Sequence, residues 1–155
     1  QVGEKVYVDG PYGSFSVDRH PGAQQFAFIA GGVGITPIMS SLRTLAERGD
    51  QRPLLLLYAN KTWEAVIFRE ELEDMEKRLN LKIVHVLESP PENWDSETGF
   101  INEAILRKYL PADLRPNLTE VFLCGPAPMM NALEKALAKV GLPAGDLHSE
   151  RFDLV

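Results

Sequence analysis

The sequence predicts an α/β domain, in which a doubly wound, mainly parallel five-stranded sheet carries helices on both faces. Continuous apolar runs, such as the one at residues 54–58, indicate strands that are buried on both faces of a sheet. Amphipathic segments with apolar residues at helical spacing separate these runs. A glycine-rich turn at residues 31–34 joins the first run to the first amphipathic segment. Because strand and helix alternate along the chain, right-handed parallel crossovers are favoured.

The five strands are predicted from apolar runs and from one short terminal segment. These stretches lie at residues 26–30, 54–58, 82–87, 121–124 and 146–152. The segment between the third strand and the third helix, residues 89–99, is expected to form a loop.

Four helices are predicted between these strands. The first is expected to have Thr36 as its N-cap and Pro37 at its first helical position, and to end at Gly49. The second covers residues 68–79, and its many charged residues form a solvated face. The third covers residues 102–109 and is capped by Asn102, and the fourth covers residues 130–140 before Gly141.

Composition favours one soluble domain and excludes several function classes. The chain has 155 residues, of which 45% are hydrophobic, so it can fill a single core. A net charge of -6 without clustered Lys and Arg argues against a nucleic-acid surface. No apolar run approaches the length of a membrane span, and no signal peptide opens the chain. We therefore expect a cytoplasmic protein, with the cytoplasmic face of a membrane as an alternative.

Cysteine and histidine usage give no sign of a disulfide or a metal site. The single Cys124 has no partner for an internal disulfide. His20, His85 and His148 are scattered along the sequence and lack metal-ligand spacing. The sequence therefore predicts no metal centre.

The glycine-rich turn is a candidate phosphate-binding site. Gly31, Gly32 and Gly34 allow the backbone to approach a pyrophosphate, and the helix that follows presents free N–H groups and a positive dipole end. Pro37 occupies the place of the third glycine of the G-x-G-x-x-G fingerprint. A tight strand-to-helix connection without any ligand is the alternative interpretation of this turn.

Three further segments are expected at the same edge of the sheet, where parallel strands end and ligands bind. They are residues 58–62, residues 124–126 and residues 150–152. Gly125 and Pro126 repeat the glycine and proline pattern of the first turn. Each member also has a plainer interpretation, because Cys124 could be a small buried residue and Lys61 an ordinary surface lysine.

Five motifs, in order along the chain, resemble the signatures of the ferredoxin–NADP reductase superfamily, and specifically of its C-terminal NAD(P)-binding domain. They are Gly-Pro-Tyr-Gly-Ser-Phe at residues 10–15, Ala-Gly-Gly-Val-Gly-Ile-Thr-Pro-Ile at 30–38, Tyr-Ala-Asn-Lys-Thr at 58–62, Phe-Arg-Glu-Glu-Leu at 68–72 and Cys-Gly-Pro-Ala-Pro-Met-Met at 124–130. The loop with Trp94 and residues 98–101 is most similar to the cytochrome b-type and nitrate reductase branch. The ferric reductases are a second similar branch.

The resemblance implies roles for individual residues. Gly32, Gly34 and Thr36 would hold the pyrophosphate, while Cys124 and Gly125 border the nicotinamide. The other cofactor contacts implied are Gly31, Pro37, Asn60, Lys61, Pro126 and Met129. Glu150 matches an acidic residue near the flavin, and Phe152 matches an aromatic residue that covers the flavin face. Cys124, Glu150 and Phe152 are therefore the catalytic candidates.

The resemblance also implies a longer protein. Residues 1–18 are similar to the last strand of an FAD-binding barrel and its connection, and residues 19–155 to the NAD(P)-binding domain. The expected function is hydride transfer from NAD(P)H to FAD, followed by electron transfer to a haem, iron–sulfur or ferric acceptor. By itself, without the barrel, the chain is expected to be inactive. A nucleotide-binding regulatory or interaction module without redox activity is the alternative.

The choice between NADH and NADPH stays open at this point. In the NADH-using branch an aspartate follows the motif at residues 58–62, and Ala65 stands in its place here. Lys61 would attract a 2′-phosphate, whereas Glu64 could replace the missing acid.

Overall fold

The computed structural model describes residues 15–151 of the chain. Most of the expected barrel strand and connection, residues 1–18, therefore lies outside the described residues, as does Phe152. Within residues 15–151, no helix is both long enough and apolar enough to cross a membrane.

A parallel sheet forms the centre of the domain. Its strands are β1 (Gln25–Gly31), β2 (Leu54–Asn60), β3 (Leu81–Leu87), β4 (Glu97–Thr98), β5 (Thr119–Gly125) and β6 (Leu147–Arg151). They are arranged in the order β4-β3-β2-β1-β5-β6, and every neighbouring pair is parallel. The predicted doubly wound parallel sheet is confirmed.

The described sheet has six strands where the sequence predicted five. The additional strand, β4, lies in the segment expected to be a loop and pairs with Val86 and Leu87. The Ser96 hydroxyl holds this segment against β3 by donating to the His85 carbonyl at 2.8 Å, and within the segment the Trp94 indole donates to the Glu97 carbonyl at 2.9 Å. Because β4 has only two residues, it shows no apolar run or alternation by which the sequence would reveal it.

Four helices connect the strands: α1 (Ile35–Glu47), α2 (Arg69–Arg78), α3 (Glu103–Tyr109) and α4 (Ala127–Val140). As predicted, Asn102 caps α3, and its side-chain oxygen accepts from the amides of Ala104 at 2.9 Å and Ile105 at 3.1 Å. Gly141 ends α4 in the left-handed conformation, with φ of 96°.

The predicted start of the first helix was wrong. A 3₁₀ turn over Gly32–Gly34 continues directly into α1, so Gly34 is the N-cap and Thr36 lies in the first helical turn. The Thr36 hydroxyl donates to the Val33 carbonyl at 3.0 Å instead of capping helix amides. The reason is that the turn already has helical hydrogen bonding, which removes the extended residue that an N-cap needs.

Two cores cover the two faces of the sheet. On one face, Phe28, Tyr58 and Phe122 pack with apolar residues of α1 and α2. On the other face, Ile29, Leu57 and Leu123 pack with apolar residues of α3 and α4. The alternation of neighbours such as Phe122 and Leu123 between the cores follows from the two-residue period of a strand. Both faces are covered, as the continuous apolar runs predicted.

Candidate functional site

The sheet order creates a switch point between β1 and β5. From β1 the chain proceeds through β2, β3 and β4 on one side, whereas β5 and β6 lie on the other side. Ala30 pairs with Cys124, so the two glycine-containing turns that follow these strands lie next to each other. The crevice outside the carboxyl ends of two such strands is the usual ligand site of open α/β sheets.

A cavity of about 690 Å³ opens at this switch point. Its walls come from the ends of β1 and β2, the first turns of α4 and the segment just before α3. The volume lies in the range of small-molecule and cofactor sites. The cavity is therefore the candidate functional site.

Six of the residues predicted to contact a cofactor line this cavity: Gly31, Gly32, Asn60, Lys61, Pro126 and Met129. The other four do not. Thr36 is exposed, and Pro37 lines a separate small groove beside the segment that precedes β1. Gly34 and Gly125 lie at the contact between the two turns, and the ligand contacts predicted for these four residues stay predictions.

Gly34 is required by close packing between the β1 turn and β5. A Cβ on this residue would overlap the Cys124 carbonyl oxygen and lie 2.8 Å from the Gly125 amide nitrogen. Real Cβ atoms do not approach backbone so closely, and the backbone of β5 cannot move aside as a flexible side chain would. By contrast, a Cβ on Gly32 would meet no atom within 4 Å, although Gly32 has a φ of 52°. The absence of a side chain at Gly34 therefore allows the turn to pack against β5, whereas Gly32 borders open space.

Tyr58 fixes the conformation of the glycine turn by a hydrogen bond from the core. Its ring is fully buried in the core, and its hydroxyl donates to the Gly32 carbonyl at 3.2 Å. Burial raises the pKa of the Tyr58 phenol, which keeps it protonated and able to donate. The sequence identified Tyr58 only as the start of a motif, and its contact with the turn follows from the parallel register of β1 and β2.

Asn60 presents an unpartnered amide at the cavity wall. The residue is only 7% exposed, and its Nδ2 atom has no hydrogen-bond partner among residues 15–151. A buried amide that forms no hydrogen bond costs free energy, so such groups are usually satisfied by a ligand or by water. Asn60 therefore contributes an unsatisfied amide to the cavity wall, and its Nδ2 atom is covered in this structure.

Three exposed apolar side chains lie around the cavity: Val33, Ile67 and Phe100, which are 63%, 40% and 69% exposed. The sequence analysis assigned no role to any of them. Phe100 follows Gly99, whose φ of 85° turns the chain at this point. Exposed apolar residues that cluster at a cavity provide a surface for a planar ring. No sequence pattern distinguishes them from core residues, because only the fold shows that they are exposed.

Two oppositely charged side chains complete the wall. Lys61 follows β2, and Glu88 follows β3. The Glu88 amide donates to the Asn60 carbonyl at 3.1 Å, so the ends of the two strands are tied together. The exposed side chain of Glu64 lies nearby in sequence, and its backbone and side-chain hydrogen bonds lower the pKa of this carboxyl.

The two catalytic candidates within the described residues lie beside each other. Cys124 ends β5 and pairs with Glu150 of β6. Cys124 is fully buried in the core with Tyr58 and Phe122, and it does not line the cavity. Burial, with a contribution from the Glu150 charge, raises the pKa of the Cys124 thiol to about 11. The thiol is therefore protonated at neutral pH.

The comparisons with known proteins identify relatives of this chain. The family model for the oxidoreductase NAD-binding domain matches residues 28–135. NADH-cytochrome b5 reductase 1 of Debaryomyces hansenii is 37% identical over 145 residues, which are 91% of this chain and 50% of the relative. Nitrate reductase [NADH] 1 of Arabidopsis thaliana is 36% identical over 153 residues, covering 90% of this chain and 17% of the relative.

A solved structure of the same class of protein also matches this chain. The cytochrome b5 reductase domain of Ulva prolifera nitrate reductase matches with a TM-score of 0.72 at 31% identity, covering 84% of this chain and 49% of the other. The chain thus spans about half or less of the length of these three relatives. The expected similarity to the cytochrome b-type and nitrate reductase branch is confirmed. With its switch-point cavity and its glycine turn, the chain belongs to the oxidoreductase NAD-binding domain family.

Proposed function

We propose that this chain binds a nicotinamide dinucleotide in the switch-point cavity and presents the nicotinamide to a flavin held mainly by another domain. The buried, unpartnered Asn60 amide at the wall of a 690 Å³ cavity carries the proposal. A rotation of this side chain would offer the donor to an acceptor of the bound molecule, which would satisfy it. Because the chain spans only part of its relatives, the activity of the whole protein belongs to this proposal.

The cavity wall suits the parts of a dinucleotide. The open backbone at Gly32, close to the N-termini of α1 and α4, receives the pyrophosphate. The apolar surface of Ile67 and Phe100 receives a planar base. Met129, which packs against Gly31 and Gly125, forms the floor between the two turns.

Hydride transfer is proposed at the β5 and β6 end of the crevice. A bound NADH supplies the hydride, and the protein must hold the two rings in contact and exclude water. Cys124 and Glu150, adjacent in the sheet register, are proposed to border that position. For Phe152, which lies outside the described residues, we propose the flavin-covering role that the family resemblance implies. A protonated, uncharged thiol suits a water-poor slot, and the Glu150 carboxylate provides a charge near the flavin edge.

The charges at the cavity favour NADH over NADPH. Lys61 is the cationic side chain of the wall, and Glu88 stands at the same wall with the opposite charge. A 2′-phosphate needs a net positive surrounding, whereas a ribose diol is bound well by a carboxylate. The relatives named above as NADH enzymes support the same choice.

The electron acceptor is proposed to be a haem, an iron–sulfur centre or ferric iron, located in a further domain, a separate protein or a membrane-attached segment. The D. hansenii relative is named for cytochrome b5. Rapid reduction of the flavin by NADH in the full-length protein would distinguish this function from a regulatory nucleotide-binding module, which would bind without reducing flavin.

A pair of Gly32 variants tests the binding site. Gly32→Asp places a carboxylate where the pyrophosphate is proposed, and Gly32→Asn is its uncharged control of nearly the same shape. Both residues tolerate a positive φ better than other side chains do, so both variants should fold. We expect the Kd for NADH, measured by calorimetry, to rise at least about 10-fold more in Gly32→Asp than in Gly32→Asn. Equal affinities in the two variants would place the phosphates elsewhere.

A further inference from the structure

Two imidazoles converge on one buried carboxylate at the β5 and β6 edge of the sheet. His148 Nε2 lies 2.6 Å from Glu120 Oε2, and His20 Nδ1 lies 3.3 Å from Glu120 Oε1. One ligand atom from each of the three residues lies within 4.8 Å of the other two. Glu120 is at the start of β5, whereas the switch-point cavity is at the carboxyl ends of the strands, so this cluster is separate from the candidate nucleotide site.

The Glu120 carboxylate needs a positive partner. Its side chain is 4% exposed, and within residues 15–151 its hydrogen-bond and ion-pair partners are the two histidines. A buried carboxylate is costly unless a charge or a metal compensates for it. His20 and His148 are 19% and 15% exposed, and their ring centroids are 4.2 Å apart, so protonation of both would bring two like charges together.

We propose that His20, Glu120 and His148 form a binding site for a divalent transition metal ion such as Zn²⁺. Two imidazoles and one carboxylate are an established ligand set for zinc, with water in the fourth position. Metal–ligand bonds of about 2.0–2.1 Å in tetrahedral geometry separate neighbouring ligand atoms by about 3.3 Å. The observed separations of 2.6 Å and 3.3 Å from the carboxylate bracket or match this value to within 0.7 Å, and the ligand atoms of all three residues lie within 4.8 Å of one another.

Binding replaces the hydrogen-bonded proton by the metal. The proton on His148 Nε2 leaves this atom, because a coordinating imidazole must present a free lone pair; a neutral ring takes up a proton on Nδ1 in exchange and stays neutral, whereas an imidazolium releases one proton to solvent. One unit of the metal's charge is then offset by the carboxylate. The remaining positive charge stays next to partly exposed imidazoles in a chain of net charge -6.

The metal would act as a cross-link between three separate segments. His20 follows the 3₁₀ turn Val17–Arg19 that precedes β1, Glu120 lies in β5, and His148 lies in β6. The rings of His20 and His148 also pack against Phe122 of the core, at centroid distances of 5.9 Å and 4.9 Å. The site therefore fixes the approach of the chain to β1 against β6, the edge strand of the sheet.

Zinc binding to the chain, measured by calorimetry and by competition with a chromophoric chelator, tests the proposal. Wild type should bind one Zn²⁺ per chain. His148→Ala and His20→Ala should lower the affinity by more than the roughly 10–100-fold that loss of an outer-shell partner costs, because each removes a ligand. His85→Leu is the control, since His85 lies outside the cluster. If one histidine variant fails to fold by circular dichroism, the other provides the measurement.

The melting temperature gives an independent readout. Zn²⁺ in excess should raise the melting temperature of wild type and of His85→Leu, because a ligand that binds the folded state stabilises it. The same Zn²⁺ should not raise the melting temperature of the two cluster variants. Equal zinc affinity in wild type and both variants, or no binding to wild type, would show that the cluster is a hydrogen-bonded triad only and would overturn the proposal.

Discussion

Replacement of Asn60 by leucine should weaken nucleotide binding while leaving the unliganded domain as stable as wild type or more so. The two side chains are similar in size, so the leucine fills the same space in the wall. In the unliganded protein the Asn60 Nδ2 atom has no partner among the described residues, and the substitution removes this unsatisfied donor from a site that is only 7% exposed. Removal of such a group is worth about 1 kcal/mol in stability.

The same substitution should weaken the binding of the nucleotide. A nucleotide acceptor that faces a leucine side chain stays unpaired after it has lost its water, at a cost of about 1–3 kcal/mol. That cost corresponds to a roughly 5- to 150-fold higher Kd for NADH. Calorimetric titration gives the affinity, and urea denaturation of the unliganded chain gives the free energy of unfolding.

His85→Leu is a matched control for this experiment. His85 Nδ1 is the other buried unpartnered side-chain atom found within residues 15–151, and His85 does not line the cavity. Burial lowers the pKa of His85, so leucine replaces a neutral ring. This variant should change the free energy of unfolding of the unliganded chain without changing the Kd for NADH. An Asn60→Leu protein with wild-type affinity would refute the assignment of the amide to the ligand.

Two further predictions follow from the packing at the switch point. Gly34→Ala should destabilise the chain by about 1–3 kcal/mol in urea denaturation, because its Cβ would overlap the Cys124 carbonyl; a wild-type midpoint would contradict the close approach. Cys124 should react with iodoacetamide at pH 8 at least roughly 100-fold more slowly than an ordinary thiol, since its pKa is about 11 against a usual 9.0. Because the folded-state pKa is raised, the protonated thiol favours the folded state below pH 9, and this contribution is lost as the pH rises from 9 toward 11. Rapid alkylation of the native protein would show that the thiol is accessible and ionised.

The sequence predicts the long strands and the helices of this domain well, because these elements depend on local patterns. The long strands carry continuous apolar runs, and α3 begins at an asparagine cap, so both are visible in the chain alone. β4 was missed because tertiary contacts create it: its pairing with β3 and the hydrogen bond from Ser96 to the His85 carbonyl. The start of α1 was misplaced because a 3₁₀ turn precedes it, and glycine spacing does not indicate where helical hydrogen bonding begins.

The candidate site was predicted only in part, for a related reason. Adjacency to the switch point could be inferred from strand order, and this inference identified Asn60 and Lys61 as cavity residues. The exposed apolar residues around the cavity, Val33, Ile67 and Phe100, are far apart in sequence, and so are the three residues of the cluster at Glu120. His20 and His148, for example, meet only because the entry turn to β1 lies beside β6 at one end of β5. Ligand spacing along the chain cannot reveal such a site.

The glycines of the β1 turn illustrate how folding and binding depend on the same geometry. Gly34 allows the turn to lie against the backbone of β5, and Gly31 leaves room for Met129 and Pro126 of the second turn. Tyr58 then holds the Gly32 carbonyl from within the core. With these three contacts made, the open side of Gly32 faces the cavity. A dinucleotide would therefore meet a turn whose shape is already set by core packing, and little of its binding free energy would be spent on ordering the protein.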